Sequence, residues 1–113
     1  MPACPKLPRP PKRQRPGMSP AHLAFVRSLP CCACGSPAVE AHHLLRTGAR
    51  GMGMRSPDRY AVPLCGAHHR ALHAHGDEGA WLTAHGVDGI ALAERLWNDT
   101  GDGAAGLRAV MGV

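Results

Sequence analysis

The chain has 113 residues and a net charge of +5, and its 14 glycines and 11 prolines predict many turns and few long regular elements. A chain of this length is expected to form a single small domain. Aromatic residues make up only 4% of it, so its core is expected to be thin. No segment approaches the ~18 consecutive apolar residues of a membrane span. The N-terminus also carries basic residues and prolines where an export signal needs an apolar stretch. These features exclude a membrane partner and predict a cytoplasmic protein.

The excess positive charge lies entirely in the N-terminal segment. The first 20 residues contain five basic and no acidic residues, whereas the remainder has eight arginines and eight acidic residues. Prolines keep such a segment extended, so residues 1–18 are predicted to form a disordered, Pro-rich basic arm. The arm would bind a polyphosphate without sequence preference; the alternative is a terminus that only solubilises the protein. Its basic residues are Lys6, Arg9, Lys12, Arg13 and Arg15.

The apolar pattern predicts short elements joined by loops. They are a helix over 21–29, strands over 39–45 and 60–64, and a helix over 67–74. Asp77 and Asp88 are expected to cap two further helices, which are interpreted as packing elements. The Gly-rich segment 46–58 is predicted to be a loop, and the Gly/Ala-rich tail, residues 99–113, is predicted to fray.

Two pairs of potential metal ligands have the spacing of zinc knuckles. They are Cys31-x-x-Cys34 and Cys65-x-x-His68. Brought together, the pairs supply a Cys3His set for a structural Zn²⁺. In a reducing compartment, clustered Cys and His favour zinc over disulfides. The alternative is that the cysteines are ordinary buried thiols. Cys32, between two of these ligands, should point away from the ion.

A second group of histidines predicts a separate metal site. His69 and His73 are four residues apart, so on a helix they share one face and can bind one ion. His68 is rotated by about 100° from His69 on that helix, which lets it serve the zinc knuckle instead. The third ligand is expected from the His42-His43 doublet. If His42 completes the set, His43 remains as an unligated imidazole that can take a proton from water.

The combined motifs resemble the HNH endonucleases, whose fold is called ββα-metal or His-Me finger, and in particular the phage and prophage branch that includes recombination-enhancement nucleases. The motifs are Cys31-x-x-Cys34, Glu40-Ala-His42-His43, Val62-Pro-Leu-Cys65-x-x-His68-His69-x-x-x-His73 and His75-Gly-Asp-Glu-Gly. The resemblance covers about residues 29–97. It implies an α+β fold in which residues 19–98 form a small zinc-stapled nuclease domain with flanking helices.

By position, the resemblance implies that His42, His69 and His73 hold a catalytic ion and that His43 is the general base. The implied activity is metal-dependent hydrolysis of single- or double-stranded DNA, giving 5′-phosphate and 3′-hydroxyl products. Three imidazoles favour Zn²⁺, Ni²⁺ or Mn²⁺ over Mg²⁺, although open positions can accept Mg²⁺. A recombinase or another DNA-bound protein is a candidate for directing cleavage. Candidate phosphate contacts, with a solvated surface role as the alternative, are Arg46, Arg50, Arg55 and Arg70.

The sequence departs from the family at one position and leaves other functions open. Many HNH enzymes have an Asn before the second strand, where this chain has Asp58; it either orients the base as a hydrogen-bond acceptor or serves only as a turn residue. The rival functions are a non-catalytic, zinc-stapled nucleic-acid-binding module and an RNase on the same fold. His22, His75 and His85 lack ligand partners by spacing and are interpreted as packing or surface residues.

Overall fold

The computed structural model describes residues 18–37, 39–44 and 57–112. Within these ranges the chain forms a mixed α+β fold, with one two-stranded antiparallel sheet and five α-helices. The α+β class expected from the sequence is confirmed. In chain order the elements are helix α1 (Pro20–Arg27), strand β1 (Val39–His43), strand β2 (Ala61–Cys65), helix α2 (Gly66–His75), helix α3 (Glu78–Ala84), helix α4 (Gly89–Asn98) and helix α5 (Gly103–Met111).

The predicted elements are present, with small shifts at their ends. The Asp77 and Asp88 side chains accept hydrogen bonds from backbone N–H groups in the first turns of α3 and α4, as their positions predict. Gly76 caps the C-terminal end of α2, and its φ of +84° is a left-handed conformation that favours glycine. A single 3₁₀ turn, Asp58–Tyr60, leads into β2.

The register of the sheet fixes the position of the histidine doublet. His42 pairs with Val62 and His43 pairs with Ala61. Strand β2 is buried along its whole length, which matches its nearly continuous apolar sequence. Helices α1, α2 and α4 all pack against this strand. The doublet therefore lies on β1, the strand that pairs with the buried strand β2.

The tail predicted to fray instead contains α5, and this expectation was wrong. Asp102 caps the helix by accepting a hydrogen bond from the N–H of Ala105. Its buried Gly106 lies so close to α1 that a Cβ atom there would be 2.6 Å from Cζ of Phe25. The Gly/Ala composition that suggested disorder thus permits close helix packing. Where α1, α4 and α5 meet, buried side chains form a second core cluster, made of Phe25, Leu29, Leu96 and Ala109.

Candidate metal centres

The first zinc knuckle is a tight turn between α1 and β1. The backbone N–H of Cys31 donates to the carbonyl oxygen of Ser36, and the N–H of Gly35 donates to the carbonyl oxygen of Cys31, both at 2.8 Å. Gly35 has a φ of +78°, which a residue with a side chain rarely adopts. The N–H of Cys32 donates to the carbonyl oxygen of Pro63 at 3.0 Å, which attaches the turn to β2.

The second knuckle lies where β2 passes into α2, and the structure brings both knuckles together. Cys65 ends the strand, and His68 lies in the first turn of the helix. The Cys34 and Cys65 sulfurs are 3.8 Å apart, and His68 Nδ1 lies 3.1 Å from Cys65 Sγ and 3.9 Å from Cys31 Sγ. Two sulfur ligands of a tetrahedral Zn²⁺ with bonds of about 2.3 Å are separated by about 3.8 Å. The four side chains therefore fit a tetrahedral ion such as Zn²⁺.

Cys31 and Cys32 are adjacent in sequence but have different environments. Burial raises the pKa of the Cys31 thiol, but hydrogen bonds from the backbone N–H groups of Cys65, Ala33 and Cys34 outweigh it and lower this pKa overall. Burial and the neighbouring cysteines raise the pKa of Cys32 to about 12. Cys31 belongs to the group of four residues whose potential ligand atoms lie within 4.8 Å of one another, and Cys32 does not. Cys32 instead packs against the main core.

The second cluster joins β1 to one face of α2. His42, His69 and His73 can each offer a nitrogen atom, and these atoms lie within 4.8 Å of one another. His42 Nδ1 is 3.1 Å from His69 Nε2. This distance is close to the ~3.4 Å that separates two nitrogen ligands of a tetrahedral ion with bonds of about 2.0–2.1 Å. The cluster shares no ligand with the Cys3His set, although both use α2.

Two carboxylates with no role predicted from the sequence accept hydrogen bonds from the outer nitrogens of this cluster. Glu78 Oε1 lies 2.6 Å from His42 Nε2, and Glu40 Oε2 lies 2.6 Å from His69 Nδ1. The hydrogen bond from His69 lowers the pKa of Glu40. Burial lowers the pKa of His42 despite the opposing effect of Glu78, which favours the neutral imidazole that a metal requires. Both residues occur in the HNH-like motifs, and that was their only signal in the sequence.

His43 has a different partner from the rest of the cluster. Its Nε2 lies 2.7 Å from Asp58 Oδ1, so the ring donates an N–H to this carboxylate. The other carboxylate oxygen accepts the backbone N–H of Ser19 at 2.7 Å. Asp58 is buried, whereas His43 keeps 22% of its side chain exposed. Asp58 therefore begins a turn and also accepts a hydrogen bond from His43.

The remaining candidate residues lie partly outside the described ranges. The five basic residues of the arm and Arg46, Arg50 and Arg55 fall there. Arg70 is exposed on α2 and is close enough to Glu40 to lower the pKa of that carboxyl, after the larger effects of its hydrogen bond and of His69. Of the three histidines without a predicted site, His22 is buried in the core, whereas His75 and His85 are exposed.

Comparison with known proteins places the chain in a family. The family described as "Protein of unknown function (DUF968)" matches residues 4–100, so this chain belongs to that family. A segment of 63 residues is 41% identical to the uncharacterized protein YdfU of Escherichia coli (strain K12). The aligned segment covers 56% of this chain and 18% of YdfU. No solved structure gives a significant match.

None of the helices in the described part of the chain has the length and apolar character that crossing a membrane requires.

Proposed function

We propose that this protein is a metal-dependent HNH endonuclease of the ββα-metal type that hydrolyses DNA phosphodiester bonds. One observation carries the proposal: a buried carboxylate orients His43, and His43 directly follows His42, a member of a three-histidine cluster that is separate from the Cys3His set. A purely structural zinc domain needs only the Cys3His set. The second cluster and the oriented imidazole have the composition of a hydrolytic site, in which an open metal position lies near a base.

In the proposed mechanism His43 is the general base. Its Nε2–H donates to Asp58, which leaves the lone pair of Nδ1 free to take a proton from water. Asp58 is held by the Ser19 N–H, so the ring has little freedom to rotate. The resulting hydroxide attacks phosphorus in line with the leaving 3′ oxygen, and the products carry a 5′-phosphate and a 3′-hydroxyl.

The catalytic ion would be held by His42, His69 and His73. When bound, a divalent ion there supplies positive charge that stabilises the phosphorane and the departing oxygen. His42 and His43 are consecutive residues of β1, so the same strand carries one ligand of the ion and the proposed base. The imidazole set favours Zn²⁺, Ni²⁺ or Mn²⁺ over Mg²⁺. The Cys3His set would hold a structural Zn²⁺.

The test is cleavage by the purified full chain, freed of metal at the three-histidine cluster and incubated with single-stranded DNA, duplex DNA or RNA. Mg²⁺, Mn²⁺, Ni²⁺ and Zn²⁺ are added in turn. We expect DNA cleavage by the wild type and a loss of at least about 100-fold in rate for His43→Ala, since a positioned general base contributes ~10²–10⁴-fold. Gel analysis of end-labelled products measures both rates.

His75→Ala is the matched control, because His75 is an exposed histidine of the same helix as two of the metal ligands and lies outside both clusters. This variant should cut at the wild-type rate. Equal cutting by His43→Ala and wild type would remove His43 as the base. DNA binding without cutting under every metal would support the binding module instead, and cleavage of RNA alone would support an RNase.

A further inference from the structure

The hydrogen bond between Glu78 and His42 is the most enclosed polar contact of the three-histidine cluster. The His42 side chain is 2% exposed and the Glu78 side chain 10% exposed, and the two atoms are 2.6 Å apart. Glu78 is the first residue of α3, directly after the capping residue Asp77. A carboxylate so shielded from solvent interacts strongly with the ring it contacts, because little water screens the pair.

This contact determines which nitrogen of His42 can bind a metal. An ionised carboxylate only accepts hydrogen bonds, so the proton of the neutral ring lies on Nε2. The lone pair is then on Nδ1, the atom that lies 3.1 Å from His69 Nε2 within the cluster. Metal-binding histidines commonly donate their other N–H to a carboxylate, which fixes the tautomer and makes the ligand more basic.

Glu40 makes an equally short hydrogen bond to His69, but in a different environment. Its side chain is 60% exposed, compared with 10% for Glu78. Water can replace an exposed partner and screens its charge. The chain therefore contains two carboxylate–histidine pairs at one cluster that differ mainly in burial.

We propose that Glu78 is a positioning residue that fixes His42 as an Nδ1 ligand and so makes the three-histidine cluster a high-affinity site for a divalent transition metal, whereas Glu40 contributes little. This inference rests on the metal site of the proposed function. It links α3 to that site, since the helix that carries Glu78 supplies no metal ligand of its own. The exposed Glu40–His69 pair serves as the comparison for the buried Glu78–His42 pair.

The proposal is tested by titrating the full-length protein with Co²⁺ in competition with a chelator. Co²⁺ bound by thiolates gives intense sulfur charge-transfer bands that imidazole-bound Co²⁺ lacks, so the two clusters are followed separately. Glu78→Gln should lower affinity at the three-histidine cluster by about 10–100-fold, the usual effect of losing such a partner. Glu78→Ala should lose more, because the amide of Gln can still accept the Nε2–H. Glu40→Gln should lose less than about fivefold.

Asp77→Asn is the matched control, since it removes a negative charge from the adjacent residue and retains a good helix cap. Its affinity should equal that of wild type. Unchanged affinity in Glu78→Gln, or an equal loss in Asp77→Asn, would overturn the proposal. Both results concern metal affinity alone, so they are distinguishable from the absence of DNA cleavage, which would overturn the nuclease proposal and leave this one standing.

A measurement on the wild type does not depend on how the variants fold. In Zn²⁺-loaded protein, nitrogen NMR of the imidazoles should show His42 protonated at Nε2 and bound to metal through Nδ1. The opposite tautomer would overturn the proposal.

Discussion

At the scale of single residues, the adjacent histidines of β1 acquire different partners because they point to different sides of the strand. His42 faces α2 and donates to Glu78, whereas His43 donates to Asp58. The two carboxylates come from α3 and from the turn before β2. The doublet thus contains one imidazole directed at the three-histidine cluster and one outside it.

His22 lies on α1, and burial is the main influence on its pKa. Its side chain is fully buried, and Nδ1 lies 2.7 Å from the hydroxyl oxygen of Thr100. That hydroxyl donates to the carbonyl oxygen of Trp97 at 2.8 Å, so it accepts the Nδ1–H of His22. Within the described part of the chain Nε2 has no partner. Burial lowers the pKa of His22, and the nearby Asp58 opposes this only in part.

We expect acid to destabilise the protein through His22. Its folded pKa is lower than the unfolded value of 6.5, so the unfolded state binds more protons as the pH falls below about 6.5. The stability present above that pH is therefore lost progressively down to the lowered pKa. Chemical denaturation at a series of pH values, with Zn²⁺ held constant, measures this dependence.

His22→Gln should reduce the pH dependence of the free energy of unfolding, because Gln can donate to Thr100 but does not titrate in this range. His75→Gln, at an exposed site, should keep the wild-type dependence. An identical pH dependence in His22→Gln and wild type would show that another group is responsible.

At the scale of elements, helices outside the unit formed by β1, β2 and α2 support the position of Asp58, the partner of His43. Helix α1 follows Ser19, whose N–H holds Asp58, and α4 packs against the 3₁₀ turn that contains Asp58. Helix α5 then covers α1 and α4 through Gly106 and Ala109. Helix α4 was predicted to be a packing element. The arrangement agrees with that prediction, and the packing of α4 contributes to the position of Asp58.

Gly106→Ala should destabilise the protein by about 1 kcal/mol. Overpacking against buried Phe25 and Leu29 costs roughly 1–3 kcal/mol, and the better helix propensity of Ala returns roughly 0.5–1 kcal/mol. Gly103→Ala is the matched control, since a Cβ atom there meets nothing within 4 Å. Thermal unfolding should separate the two variants, and equal stability would contradict the close packing of α5 against α1.

At the scale of the whole molecule, stability depends on more than the apolar core. The described sheet has only two strands, and an isolated two-stranded sheet is marginally stable. The Cys3His set joins the turn after α1 to the junction of β2 and α2. Cys31 and Cys65 are themselves part of the main core cluster. A metal ion there would link three parts of the fold at its centre.

Removal of zinc should therefore unfold the domain. Apparent zinc-binding free energies of ~10–16 kcal/mol at structural sites are comparable with the entire stability of a small domain, ~5–15 kcal/mol. We expect chelation or Cys31→Ser to abolish the cooperative thermal transition seen by circular dichroism. Cys32→Ala, in the same turn but outside the ligand set, should retain it. A chelated protein with an unchanged transition would contradict the structural role.

The sequence by itself determined the α+β class, most helix and strand positions and the residues of both potential metal-binding groups, because these depend on local periodicity, capping and short spacings. It did not reveal α5, since the Gly and Ala residues that suggested fraying are favourable only when another helix lies close to them. Nor did it assign Glu40 to His69, Glu78 to His42 or Ser19 to Asp58. Those pairings join residues from separate elements, and only the packing of α1, α2 and α3 around the sheet brings a carboxylate within 2.7 Å of the rings of His42, His43 and His69.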